Sequence, residues 1–247
     1  MKTCKNCGND VNSTYCGHCG QKAVPERITF HYIWHEFVHF FTHAEKGFFY
    51  TTKNLIANPG GVVTDFIEGK RKNYQKPLSY YLIWISLYSL LLFGLEKLFG
   101  ENRVVSFSNY FGPGEKTKFA ISHLNIVLTL LLPVQAVYLY LILMQRRYNF
   151  FEALVATLYA VGTVIFLQIV FVLMVLIYFL FTGYAVSISW SDILKAAYII
   201  WFLVDFAREL PVKAKYARAI SVMLLLMGTF TAWRLYVSPT FANLFFR

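Results

Sequence analysis

The chain has 247 residues, of which 57% are hydrophobic and 19% aromatic, with only 15% charged and a formal net charge of +10. Its apolar residues come in long runs separated by short basic stretches, which excludes a soluble enzyme and points to a polytopic membrane protein. In that class the positive charge serves to hold basic loops on one side of the bilayer and to attract anionic lipid, so nucleic acid is not an expected partner.

The chain opens MKTCKNCGND, polar and without an apolar h-region, so no cleavable signal peptide is expected and the first ~77 residues should stay on one side of the membrane. All four cysteines lie before residue 20, in CKNCG at 4–8 and CGHCG at 16–20. Two residues between cysteines let both thiolates face one ion, and the glycine that follows accepts the tight turn. Cys4, Cys7, Cys16 and Cys19 therefore read as a closed tetrahedral set holding one structural zinc, Zn2+, in a ribbon over residues 1–24. The spacer between the knuckles has room for a minimal hairpin only, and a domain this small needs its metal to fold. Redox Cys-x-x-Cys chemistry is the competing reading, but it calls for a βαβ context that the segment cannot supply. His18 reads as a bystander, because four thiolates already fill the shell.

Thr29 to His43 gives a helical wheel with His31, His35, His39 and His43 on one half and Phe30, Ile33, Trp34, Phe37, Val38, Phe40 and Phe41 on the other. Such a helix suits a membrane interface. It also contains HEFVH, which matches the zinc-protease pattern: His35 and His39 could share an ion with Glu36 as general base. His43 lies ~12 Å along the axis from His35 and cannot complete that set. A third ligand would have to be Glu152, or else Asp205 or Glu209; His123 falls on the opposite side of the membrane.

Asn58-Pro59-Gly60-Gly61 ends one helix and turns the chain, and Val62, Val63, Phe66 and Ile67 give a short second amphipathic helix. Lys70, Arg71, Lys72 and Lys76, with Tyr74 as an aromatic anchor, then form a basic juxtamembrane cluster suited to anionic lipid, the plainer role being topology alone. Asp65 and Glu68 are placed to pair with it locally. Residues 25–77 are thus a cytoplasmic layer of interfacial helices, and Pro77 suits the first turn of a span.

Residues 78–247 form the transmembrane bundle. Five stretches approach the ~20 apolar residues that a crossing needs: Ser79 to Phe99, Ala120 to Met144, Phe151 to Phe181, Ile193 to Phe206 with its flanks, and Ala219 to Val237. The third is over-long, the fourth is interrupted by Lys195, and Pro133 should kink the second. Basic residues before Pro77, at Arg146 and Arg147, and at Arg208, Lys213, Lys215 and Arg218 must share a side. This puts the N-terminus in the cytoplasm and the C-terminus outside.

EKGFFYTTKNLIANPGGVVTDFIEGKRKNYQKPLSYYLI, with the CGQK that closes the cysteine module, resembles a bacterial family of integral membrane proteins that have an N-terminal zinc ribbon and no assigned function. The matching positions are Gly47, Thr51, Leu55, Pro59, Gly60, Gly69, Lys70, Arg71, Tyr74 and Pro77. RRYNFFEALVATLYAVG resembles an acidic stretch of that family, with Ala153 where the family often has histidine. The resemblance implies a membrane topology and a zinc ribbon, and no activity.

The fold class expected is therefore an all-α integral membrane helix bundle of about five spans with a small zinc ribbon, multi-pass in the bacterial inner membrane. The function expected is non-enzymatic, an adaptor or membrane-organising protein that contacts lipid and docks a protein partner on the ribbon, with self-association left open. Five spans with the N-terminus inside also looks like the Yip-type membrane-shaping proteins, by fold analogy alone. The alternatives are a membrane metallohydrolase built on His35, Glu36 and His39, and a transporter whose path would involve Gln135 and Gln168.

Overall fold

The computed structural model describes residues 2–34, 47–99, 124–144, 148–183 and 190–232. The HEFVH stretch, with His35, Glu36, His39 and His43, lies outside them, as does His123.

Two short strands open the chain, β1 (Lys2–Thr3) and β2 (Asp10–Val11), antiparallel with Lys2 opposite Val11. Residues 30–34 are helical, within the stretch where the wheel places a helix. Thr29 starts it, its carbonyl accepting from the Ile33 N–H at 3.2 Å and its hydroxyl lying 3.4 Å from the Tyr32 nitrogen.

Helix α1 (Phe48–Ala57) and helix α2 (Pro59–Glu68) are joined by Asn58 alone. Asn58 closes α1 by donating its N–H to the Asn54 carbonyl, and opens α2 by accepting from the Gly61 N–H at 3.1 Å. Proline at the first position of α2 costs nothing there, since its missing N–H would have had no partner inside the helix. Gly69, at φ 104°, ends α2 in the left-handed conformation that glycine adopts without strain.

Helix α3 (Pro77–Phe99) starts at the expected proline. Helix α4 (Leu124–Tyr138) contains Pro133 and passes into a π-helical turn at Leu139–Met144. Helix α5 (Phe150–Thr182) is 33 residues long, and α6 (Ser191–Glu209) and α7 (Lys215–Ala232) complete the described chain.

α3 and α5 run side by side in the same direction. Tyr80 bonds Thr163 at 3.2 Å, and one turn further on Trp84 meets Phe166 at 4.7 Å between ring centroids. α4 supplies the return stroke, with Thr129 bonded to Tyr81 at 2.7 Å. At ~1.5 Å per residue α5 is ~50 Å long, well beyond a ~30 Å hydrocarbon core. Its two ends differ in their surroundings. From Glu152 to Thr163 most residues are buried, and α1 and α2 pack on these turns, whereas Leu180 and Phe181 at the other end stand exposed.

Two helices, Pro77–Leu95 and Phe150–Thr182, are long and apolar enough to cross a membrane; the apolar helix Thr129–Met144 is shorter. The expected count of five is therefore not reached among the described residues. α6 carries Asp192, Lys195, Asp205 and Arg208, α7 begins with Lys215 and Arg218, and the final predicted span runs past Ala232 beyond the described residues.

Candidate metal centre

Each cysteine knuckle folds on itself by the same pair of hydrogen bonds. In the first, the Gly8 N–H donates to the Cys4 carbonyl at 2.9 Å and the Cys4 N–H to the Asn9 carbonyl at 2.8 Å. In the second, Gly20 donates to Cys16 and Cys16 to Gln21, both at 2.8 Å. Gly8 and Gly20 have φ of 77° and 71°, the left-handed turn that brings backbone N–H groups round toward sulfur.

The four sulfur atoms lie within 4.8 Å of one another, with Cys4 to Cys19 and Cys7 to Cys16 both at 3.6 Å. A tetrahedron of sulfurs bound at ~2.3 Å to a central ion has edges of ~3.8 Å, so the spacing fits a metal ion. The Cys4 and Cys16 sulfurs are buried beneath the hairpin. Backbone N–H groups of Cys19 and His18 draw the Cys16 thiol down to about 6, and those of Cys7 and Asn6 draw Cys4 down. Cys7 goes the other way: a backbone bond from Asn9 lowers it, but desolvation and the three neighbouring sulfurs outweigh that and push it up to about 12. Four thiolates so close together repel one another, and a cation among them removes the conflict. Held by all four, such an ion would have no open position for a substrate.

Both knuckles touch the end of α2. Lys5, inside the first, donates from Nζ to the Glu68 carbonyl at 3.2 Å. Gln21, the residue whose carbonyl closes the second, turns its buried amide onto the following loop: Nε2 donates to the Gly69 carbonyl at 2.7 Å, and Oε1 accepts from the Arg71 and Lys72 N–H groups at 3.0 and 3.1 Å. A Cβ on Gly69 would lie 2.5 Å from Pro25, which shows how closely the two segments approach.

The basic cluster is partly committed to the protein. Arg71 donates to the Phe66 and Glu26 carbonyls, both at 2.9 Å, and its guanidinium lies 5.0 Å from the Tyr32 ring centre and 5.2 Å from that of Phe66. Lys70 pairs with Asp65 at 2.6 Å, which raises its pKa through that hydrogen bond and charge, and Tyr74 bonds the other oxygen of Asp65 at 3.3 Å. Burial first, and then the Asp65 charge, push the Tyr74 phenol up to about 12. Lys72 lies beside Gly20, over the second knuckle, and Lys76 precedes the start of α3.

Two of the carboxylates considered as extra metal ligands, Glu152 and Asp205, serve as helix caps. Glu152 accepts from the Asn149 N–H at 2.7 Å while the Asn149 side chain accepts from the Glu152 N–H at 2.8 Å, a capping box, and its other oxygen is 3.6 Å from Arg27. The Asn149 amide also donates to the Ile28 carbonyl at 2.8 Å, tying the segment after the ribbon to the start of α5. Asp205 accepts from the Gly60 N–H at 2.9 Å and lies 3.7 Å from Arg208, so it caps α2 from across the fold. Glu209 closes α6. Gln168 is buried with its carbonyl oxygen lacking a hydrogen bond, and Gln135 is half-buried on α4.

Sequence reasoning passed over Gln21, Thr51 and Asn149. Thr51 accepts from the Gln75 N–H at 2.7 Å and Tyr159 donates to the Gln75 carbonyl at 2.6 Å, so the chain entering α3 is fixed from two helices. The resemblance had marked Thr51 without giving it a role. A Cβ on Gly47 would fall 2.6 Å from the Asn73 carbonyl oxygen, which accounts for that glycine as well. No curated protein and no solved structure gives a significant match to the chain. Residues 45–89, which cover α1, α2, the loop that the knuckles clasp and the first half of α3, match a family described as "Protein of unknown function (DUF3667)".

Proposed function

We propose that the chain is a multi-pass protein of the bacterial inner membrane, without catalytic activity, in which a zinc-loaded ribbon on the cytoplasmic side orders the membrane-proximal layer and presents its outer face to a protein partner. The observation that carries this reading is the four-thiol cluster whose two knuckles both hold the end of α2 through Lys5 and Gln21. A closed shell of thiolates is suited to structural zinc rather than to chemistry on a substrate. The membrane placement is supported by the parallel α3–α5 pair and by the exposed apolar residues on their far turns. With Lys5 and Gln21 facing inward, the ribbon surface left for a partner includes the exposed Tyr15 and Val24. A hydrolase centred on His35, Glu36 and His39 would need a third ligand, and both oxygens of Glu152 already have partners.

Metal analysis tests the proposal. The purified chain should carry one zinc, and the Cys4→Ser/Cys16→Ser double variant none. Cellular function should be lost in that variant and kept in Glu36→Gln. A second zinc equivalent that survives loss of the cysteines and disappears in His35→Ala, with function lost in Glu36→Gln, would establish the hydrolase instead.

A further inference from the structure

The α1–α2 corner packs against the span helices inside their ends, not across them. Phe48, at the start of α1, meets Tyr80 and Trp84 at 5.7 and 4.9 Å between ring centroids, and Trp84 is two turns into α3. At the other end of α1, Tyr198 donates to the Leu55 carbonyl at 3.2 Å and Trp201 to the Ile56 carbonyl at 3.1 Å, both from turns of α6 that precede Asp205. Tyr198, Trp201 and Asp205 share one face of α6 and between them satisfy the end of α1 and the start of α2. Hydrocarbon imposes this condition on any irregular backbone, because no water is present to take up the free groups. From Ala57 to Thr64 the corner carries no charge.

The outward face of α1 consists of Phe49, Tyr50, Lys53, Ile56 and Ala57. Phe49 is 81% exposed, a cost that water would levy on a large aromatic ring and acyl chains would not. The spans that α1 touches carry exposed apolar residues close by in sequence: Leu87 on α3, three residues after the Trp84 that meets Phe48, and Ile200 on α6, next to the Trp201 that bonds Ile56. Tyr50 lies 5.7 Å from Tyr74 in the basic loop, at the level where phosphates would sit, and Lys53 can extend to the same level while its stem stays apolar.

We infer that the outer face of α1 is a lipid-binding surface: the α1–α2 hairpin is set into the ribbon-side leaflet, with Phe49 and Ile56 against acyl chains and Lys53 at the phosphates. The inference rests on the membrane placement proposed above and adds that this hairpin, not the spans alone, is in contact with lipid.

Full-length chains carrying Phe49→Cys, Ile56→Cys, Leu87→Cys or Ser13→Cys, labelled with an environment-sensitive fluorophore and reconstituted in phosphatidylcholine vesicles, test it. The zinc-loaded parent chain, labelled in parallel, supplies the background. Labels at 49 and 56 should be quenched by doxyl-labelled lipid about as strongly as the label at 87 and several-fold more than the label at 13, and should be shielded from aqueous iodide. Iodide quenching at 49 and 56 alongside lipid quenching at 87 would overturn the inference and leave the membrane placement standing. If the label at 87 also responds to iodide alone, both fall.

Discussion

Glu152, in the first turn of α5, is buried and bound through both carboxylate oxygens, while Phe181, in its last, is 87% exposed. The difference extends across the molecule. On the ribbon side, α1, α2, α6 and the early turns of α5 meet through named hydrogen bonds and through glycines that admit a neighbouring backbone. On the far side, α5 presents exposed apolar side chains such as Leu173, Ile177 and Leu180. One end of the helix is specified by partner geometry and the other by the solvent it must suit, so the two ends should respond to substitution on different scales.

The comparison is sharpest at Gly60, where a Cβ would lie 2.6 Å from the carbonyl of Asp205 and cannot be accommodated without moving α2 off α6. Gly60→Val should cost about 3 kcal/mol, read as a drop of about 6–12 °C in the melting temperature of the purified chain in micelles. Gln21→Ala removes three hydrogen bonds to the loop and should cost about 2 kcal/mol, seen as faster tryptic cleavage after Lys70 and Arg71 with the metal content of the purified chain unchanged. Asp205→Asn keeps an acceptor for the Gly60 N–H but loses the charge at the helix start, for about 1 kcal/mol in the same melting assay. Leu180→Ala, at the far end, should stay within about 0.5 kcal/mol of the parent. A Leu180→Ala loss as large as that of Gly60→Val would end the distinction between the two ends.

What could be read from the sequence follows the same division. The cysteine knuckles, the Asn58–Gly61 corner and the start of α3 at Pro77 are local chemistry, set by residue spacing, turn preference and a fixed φ, and they appear where expected. Asp205 and Glu152 were legible as candidate metal ligands but not as caps. A cap for α2 supplied from 145 residues away leaves no local trace, and only the Asn149–Glu152 spacing could have signalled the capping box at α5. Arg71 looked like part of a lipid-facing cluster because composition cannot tell a solvated guanidinium from one folded onto Phe66 and Glu26. The third stretch reads as over-long, and the helical layer packed on its first turns is a matter of packing that hydropathy does not encode.

The corner at Asn58 has no slack. This one residue ends α1 and begins α2, and Gly60 two positions later must present its N–H to Asp205. An extra residue inserted there would swing α2 by about 100° around its own axis and turn Gly60, Val63 and Phe66 away from the surfaces they now meet. Residues in this segment can be exchanged where size permits, but its length cannot change, so among related chains the alignment through 47–77 should be free of gaps while segments 100–123 and 184–189 vary in length.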